Sequence, residues 1–363
     1  MNLFFRSFYC IAVFLAVAFQ SGAQAQYVYH DATLFLKTGQ AFRDAATYQR
    51  LPLRFKNNMR PYLWELSQRP AGMAIRFTTN SPTIAVRWKT NKSMYFPHVA
   101  ESLIRGVDLY GKKNGKWFYA GLGKPSTNEN HEAVVIKGMD SNMKEFLLHL
   151  PTYETVDSVF IGVAPGFVIQ SPAKRGFRSR KPVVFYGTSI VQGASAMRPG
   201  MAYPSIISRN LNIEAINLGF SGNAHLDTII ARAMTEVDAS CYVLDCGPNL
   251  TPAMVRERLR PFINILKQGR ASVPVLLVGN IPYPHALFDK DVRQKIDSVN
   301  QIFQETFIQL KKEGVKELYY LPSKNLIGVD GEATVDGVHP TDLGFFRLAQ
   351  GIGNLLRQIL KLQ

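Results

Sequence analysis

From residue 182 onward the sequence alternates between short apolar runs and longer stretches of helical period, and no other feature limits the architecture as much. Strand signals fall at Val183–Tyr186, Ala215–Leu218, Cys241–Leu244, Val275–Val278 and Leu318–Leu321. Helical signals lie around Tyr203–Leu211, Leu226–Val237, Thr251–Lys267, Asp291–Lys312 and Asp342–Leu360. Thr251 followed by Pro252 marks a firm helix start, because threonine caps free amides and proline suits the first helical position. Five strands joined by helical crossovers describe a three-layer α/β fold around a parallel five-stranded sheet. Such sheets place their sites at the carboxyl ends of the strands.

The preceding half, from Tyr27 to about Ser171, carries strand signals and no long helical pattern. Met73, Ile75 and Phe77 alternate with small or polar residues, Thr79-Asn80-Ser81-Pro82 reads as a turn, and Ile84, Val86 and Trp88 alternate again. The expectation is a hairpin. Further short strands are expected at Val107–Tyr110, Trp117–Tyr119, Ala133–Ile136, Glu145–Leu150 and Ser158–Val163. Many short strands at this spacing predict an all-β sandwich domain over residues 26–173. A basic linker over 174–181, containing Lys174, Arg175, Arg178, Arg180 and Lys181, would join it to the α/β domain over 182–363.

Residues 1–25 have the pattern of a signal peptide: Arg6 supplies a positive charge, Ser7 to Phe19 is apolar, and Ala23-Gln24-Ala25 is a small-x-small cleavage site. The mature chain would begin at Gln26, periplasmic or secreted, with no transmembrane segment. A short anchor is the alternative, but the apolar run falls below the ~20 residues a spanning helix needs. Cys10 lacks a lipoprotein context. Cys241 and Cys246, an odd separation apart on an expected strand, should not form a disulfide. The formal charge of +15 favours acidic surroundings, but the basic residues are scattered and no nucleic-acid-binding signature is present, so nucleic acid is set aside. The histidines show no metal-ligand spacing, and neither metal nor cofactor is expected.

A candidate site follows from the loops after the expected strands. Ser189 sits just beyond the first, after Gly187-Thr188. A serine hydroxyl needs a base, itself oriented by a third group, before it can act as a nucleophile. Asp336-Gly337-Val338-His339, after the fifth strand, can hold both partners in one tight loop. Donors for an oxyanion could come from Asn217–Asn223 after strand two and from Asp245–Asn249 after strand three, both rich in glycine and asparagine. Structural readings compete: Ser189 as a helix cap, Gly222 as a turn glycine, Asn249 as a cap before Thr251, Asp336 and His339 as a surface turn.

These blocks, residues 185–206, 216–227, 242–249 and 336–349, resemble in order the SGNH (GDSL-type) hydrolase superfamily. They are most similar to a GDSL-like acylhydrolase branch in which a β-sandwich bearing a Gly-x-Asp-Leu-Tyr motif precedes the catalytic domain; here the motif is Gly106-Val107-Asp108-Leu109-Tyr110. The resemblance implies Ser189 as nucleophile, His339 as base and then acid, and Asp336 as its orienter. It also implies an oxyanion hole from the Ser189 and Gly222 amides and the Asn249 side chain. Thr188 and Leu250 stand where the superfamily usually has aspartate, and Val191 at the second glycine position argues against an α/β-hydrolase elbow. His225 and His285 are expected to be structural, with lining of the pocket as the alternative, Asp227 and Asp245 to close a helix start and a strand end, and Asp108 and Tyr110 to serve packing or domain contacts, with a ligand role as the alternative.

The expected protein is a serine esterase acting on a small acyl ester, acetyl on a carbohydrate above all. A lipase-like or lysophospholipase activity on longer chains is the alternative within enzymes, and a non-catalytic glycan-binding protein the alternative outside them. The oligomeric state and the role of the sandwich are left open.

Overall fold

The structure is a computed structural model and describes residues 26–91, 94–173 and 176–362. The expected leader, Cys10, Lys174 and Arg175 lie outside the described residues. The described residues of the first half form ten strands: β1 (Val28–Asp31), β2 (Leu36–Thr38), β3 (Ala74–Thr79), β4 (Ile84–Thr90), β5 (Val107–Lys113), β6 (Lys116–Gly123), β7 (Asn130–Ile136), β8 (Lys144–His149), β9 (Val156–Val163) and β10 (Ile169–Gln170). They form two antiparallel sheets, one ordered β1-β9-β4-β7 and the other β10-β3-β8-β5-β6 with β2 on β3. Apolar side chains of both, among them Ile75, Phe77, Val86, Trp88, Leu109 and Ile161, meet in one core.

The expected hairpin at 73–88 is corrected by this arrangement. β3 pairs with β2, β8 and β10, and β4 pairs with β7 and β9, so the two strands lie in different sheets. Residues 80–83 cross between the sheets, braced by the Ser81 hydroxyl, which accepts from Ala164 N–H at 3.1 Å. Alternation fixes which face of a strand is buried; it does not say whether the neighbour lies beside it or across the core. Two short helices, α1 (Pro61–Ser67) and α2 (Glu101–Ile104), also interrupt the β pattern.

The second half contains β11 (Val183–Gly187), β12 (Ala215–Gly219), β13 (Cys241–Asp245), β14 (Val275–Val278) and β15 (Leu318–Leu321), a five-stranded parallel sheet ordered β12-β11-β13-β14-β15. Its helices are α3 (Ser189–Gln192), α4 (Tyr203–Leu211), α5 (Thr228–Glu236), α6 (Pro252–Gly269), α7 (Lys290–Lys312) and α8 (Asp342–Ile359). Alternate strand residues go to opposite faces. Val184, Tyr186, Leu218, Tyr242 and Leu244 pack with residues of α5, α6 and α7; Val183, Phe185, Val243, Leu276 and Val278 pack with α3, α4 and α8. β11 to β14 are buried on both faces and so read as compact, largely apolar runs in the sequence, whereas the edge strand β15 is only partly buried. Cys241 and Cys246 are both buried and free.

Both layers also take in residues of the first half. Phe42, Leu51, Phe55, Met59, Leu63 and Leu66 join the α5–α7 layer, and Val99, Leu103, Ile104 and Tyr153 join the other. At roughly 1.5–3 kcal/mol per fully buried side chain, such packing is too large for a loose tether between two independent bodies. Buried Arg50 adds polar ties, donating to the carbonyls of Asn217 at 3.1 Å, Gly219 at 2.6 Å and Leu66 at 2.6 Å. The basic stretch is held as well: Arg178 N–H donates to Asn212 O at 2.8 Å, and Lys181 Nζ reaches Asp238 at 2.9 Å.

Candidate active site

Parallel register brings the loops to a common rim. Gly187 at the end of β11 stands opposite Gly219 of β12 on one side and Asp245 of β13 on the other. The chain leaves β11 for β12 and returns to β13 across it, which makes this the topological switch point where open α/β sheets form sites. Gly187 admits no side chain, since a Cβ would lie 2.0 Å from Asp245 O. That close approach lets the chain turn at once into α3.

The helix cap expected as an alternative role for Ser189 belongs to its neighbour. Thr188 is the N-cap of α3, its Oγ1 accepting from Ile190 N–H at 3.2 Å. Ser189 is therefore the first helical residue, its hydroxyl free for another bond. Ser189 Oγ lies 2.8 Å from His339 Nε2, and His339 Nδ1 lies 2.7 Å from Asp336 Oδ2. The other Asp336 oxygen accepts the backbone N–H groups of His339 at 2.7 Å and Val338 at 3.0 Å. Partial burial pushes the Asp336 carboxyl up, but these hydrogen bonds outweigh it and hold the group down at about 2. Hydrogen bonds between Val335 and His339 and between Ala333 and Thr341 close the loop that carries both residues.

The expected oxyanion donors come from adjacent loops. Among the described residues, the backbone N–H groups of Ser189 and Gly222 make no backbone hydrogen bond. Gly222 has φ +66°, a conformation that glycine adopts without strain, with open space where a side chain would stand. Its loop is fixed by Phe220 N–H to Gly187 O at 2.8 Å and by Ser221 N–H to Gln192 Oε1 at 3.0 Å. Asn249 reaches the same loop, its Oδ1 accepting from Ala224 N–H at 3.2 Å. Capping of α6 falls to Thr251, which accepts from Met254 N–H.

The other singled-out residues are not members of the Ser189–His339–Asp336 relay, although some of them touch its loops. Asp227 at the start of α5 is gripped by Arg60 Nε and Nη2 at 2.9 and 3.0 Å, and Arg60 also binds Asn223 at 2.6 and 2.9 Å. Asp245 accepts from Tyr203 Oη at 3.0 Å, and burial pushes its carboxyl up to about 6. Burial lowers the His225 imidazole. His285 stacks with Tyr283 and packs behind Gly337 of the relay loop. Asp108 is fully buried, both oxygens accepting from Gly200 N–H at 3.0 and 3.2 Å.

Three residues at the site carry no sequence signal of their own. Gln192 and Arg60 order the Gly222 loop, and His98, from the first half, lies against His339. A cavity of about 120 Å³ opens here, lined by Phe96, His98, Val99 and Tyr153 from the first half and by Ala194, Ser221 and His339 from the second. Among the described residues, His98, Asp336 and His339 also bring metal-type donor atoms within 4.8 Å of one another, although Asp336 Oδ2 and His339 Nδ1 already face each other in a hydrogen bond.

The sequence of residues 180–357 matches the model of the GDSL-like lipase/acylhydrolase family, and residues 27–169 match a model described as the N-terminus of SGNH-hydrolase-type esterases, GxDLY. A crystal structure of a GDSL-like lipase from Bacteroides ovatus shares 35% identity, with TM-score 0.89 over 93% of this chain and 99% of that one. The chain belongs to the GDSL-like lipase/acylhydrolase family. It is a carboxylic ester hydrolase of that family, with the parallel sheet described above as its acylhydrolase half. The GDSL-like fold extends to more distant proteins. The salicylyl-acyltransferase SsfX3 of a tetracycline biosynthetic pathway has 18% identity and TM-score 0.76 over 94% of this chain and 100% of its own. A family two carbohydrate esterase from Clostridium thermocellum, solved with cellohexaose, has 12% identity and TM-score 0.59 over 81% of this chain and 94% of its own. No curated protein matches the sequence. Among the described residues, no helix is long and apolar enough to cross a membrane.

Proposed function

We propose that this acylhydrolase is an exported serine esterase that removes a short acyl group, acetyl above all, from a carbohydrate. The observation that carries the reading is the continuous relay from Ser189 Oγ through His339 to Asp336, at 2.8 and 2.7 Å, beside two amides that make no backbone hydrogen bond. In it Ser189 Oγ attacks the ester carbonyl while His339 Nε2 takes its proton, and Asp336 supports the imidazolium that forms. The Ser189 and Gly222 amides and the Asn249 side chain receive the oxyanion. As the C–O bond to the alcohol breaks, His339 returns the proton to the departing oxygen, leaving an acyl-serine. Water, deprotonated by His339, attacks that ester, and collapse of the second intermediate releases the acid and restores Ser189.

Cavity size favours a short acyl group. The pocket beside His339 is only about 120 Å³, small enough that a short acyl group already fills it. The carbohydrate part rests on the fold shared with the carbohydrate esterase crystallised with cellohexaose and on the leader pattern of residues 1–25. One observation favours the longer-chain alternative. An apolar groove of about 260 Å³, lined by Pro282, Tyr283, Pro284, Leu287 and Val329 among others, borders the relay loop at Ala333. A chain-length series of nitrophenyl esters separates the two readings: preference for two to four carbons supports the proposal, and preference for eight or more replaces it with the lipase-like one. Acetate release from acetylated glycans, followed by mass spectrometry with Ser189→Ala as control, tests the carbohydrate part. Glycan binding without hydrolysis of any acyl ester would instead establish a binding protein.

A further inference from the structure

The imidazole proposed as the general base is covered by a second imidazole from the other half of the chain. The rings of His98 and His339 stack with centroids 5.1 Å apart and planes inclined by 26°. His98 is itself supported. Its ring lies 6.2 Å from that of Phe96, which packs edge-on at 5.4 Å against the buried ring of Tyr153. Its carbonyl accepts from Ser195 Oγ at 3.1 Å, and the next residue, Val99, is anchored in the core that also holds α3. The stacked pair is therefore built from both sides.

Two hydrogen bonds hold His339, one at each ring nitrogen, and an imidazole nitrogen donates or accepts along a direction in the ring plane. Such bonds resist sliding of the ring within its plane better than they resist tipping out of it. The χ2 torsion adds little restraint, because the preference of a histidine about that bond is broad. A ring packed on the face opposes tipping directly. The alternative, a polar contact, has weaker geometry: His98 Nε2 lies 3.9 Å from Asp336 Oδ2, beyond hydrogen-bond length.

We propose that His98 is a positioning residue, whose ring face holds the His339 imidazole in the plane that serves Ser189 and Asp336 together. The proposal rests on the esterase reading above. It concerns orientation of the base, not contact with the reacting atoms.

The test uses the full chain and steady-state hydrolysis of nitrophenyl acetate by the wild type and by Ser189→Ala, His98→Ala, His98→Phe and His98→Gln, with thermal unfolding recorded for each. A displacement of 1 Å at a catalytic group can cost about 10²-fold, so loss of one restraint on tilt should lower kcat in His98→Ala by about tenfold, with KM little changed. His98→Phe, which keeps a flat ring without nitrogen, should recover most of the rate. His98→Gln, which keeps polar reach without a ring, should not. Wild-type kcat in His98→Ala, or recovery by Gln and not by Phe, overturns the positioning role while leaving the esterase reading intact. A wild type that hydrolyses the ester no faster than Ser189→Ala overturns the reading on which the proposal rests, and the proposal with it.

Discussion

Asn249 Oδ1 accepts the Ala224 N–H at 3.2 Å, so the loop after β12 and the loop after β13 are tied by the same amide that is proposed to donate to an oxyanion. The oxygen serves the loop and the NH₂ remains a donor. Replacing Asn249 by alanine removes both functions and should lower kcat by about 10²–10³. Replacement by aspartate keeps an acceptor for Ala224 but supplies no donor at neutral pH, and it should be comparably slow. Wild-type turnover in Asn249→Asp would confine Asn249 to a role in loop structure.

Asp336 carries its charge for a reason visible in the hydrogen bonds. Burial opposes ionisation, but two backbone N–H groups and the His339 ring more than compensate, and the carboxyl is held down at about 2. The pH profile of kcat/KM should therefore show no carboxylate step from this residue near pH 4, where an ordinary aspartate titrates. A break there that disappears in Asp336→Asn would contradict the assignment. Asp336→Asn should also lose turnover, on the order of 10⁴, because an amide facing Nδ1 can favour the tautomer with its proton on the wrong nitrogen.

The parallel sheet and the Ser189–His339–Asp336 grouping were legible because their signals are local. Each buried strand is a compact apolar run, and Asp336 and His339 occupy one tight loop. The pairing of β3 with β4 was misread because alternation carries the same pattern for strands side by side and strands across a core. His98 and Arg60 were invisible for a different reason. Each is a single residue without periodic context, and its contacts at the site lie more than 150 positions away in the chain. Thr188, which departs from the usual family pattern, acquires a physical role in the structure as the cap of α3.

The Gly-x-Asp-Leu-Tyr motif makes a pH-dependent contribution that can be measured apart from activity. Desolvation raises the buried Asp108 carboxyl to about 6, despite opposition from Arg198, Arg209 and the Gly200 N–H. Its folded value thus lies above its unfolded value. Its contribution to stability is fully present below about pH 4 and is lost as pH rises through about 6. Asparagine at this position has no proton to lose. Between pH 4 and pH 7.5 the urea-derived stability of Asp108→Asn relative to wild type should shift in favour of the variant by about 2.5 kcal/mol. A difference independent of pH would show that Asp108 titrates alike in the folded and unfolded chains.

Phe96 should set part of the acyl-length limit. It lines the 120 Å³ cavity beside His339, and its ring fills the space between His98 and Tyr153. Phe96→Ala opens that space to a longer chain. Each additional methylene that finds cover is worth about 0.8 kcal/mol, so cover for four of the six extra carbons of an octanoyl chain raises its kcat/KM relative to acetyl by about 10²-fold. The ratio of octanoyl to acetyl ester turnover is the quantity to compare, because any loosening of His98 slows both esters and cancels. That ratio should rise at least tenfold in Phe96→Ala, whereas an unchanged ratio would remove Phe96 from the acyl wall and assign the limit to Ala194, Val99 or Tyr153.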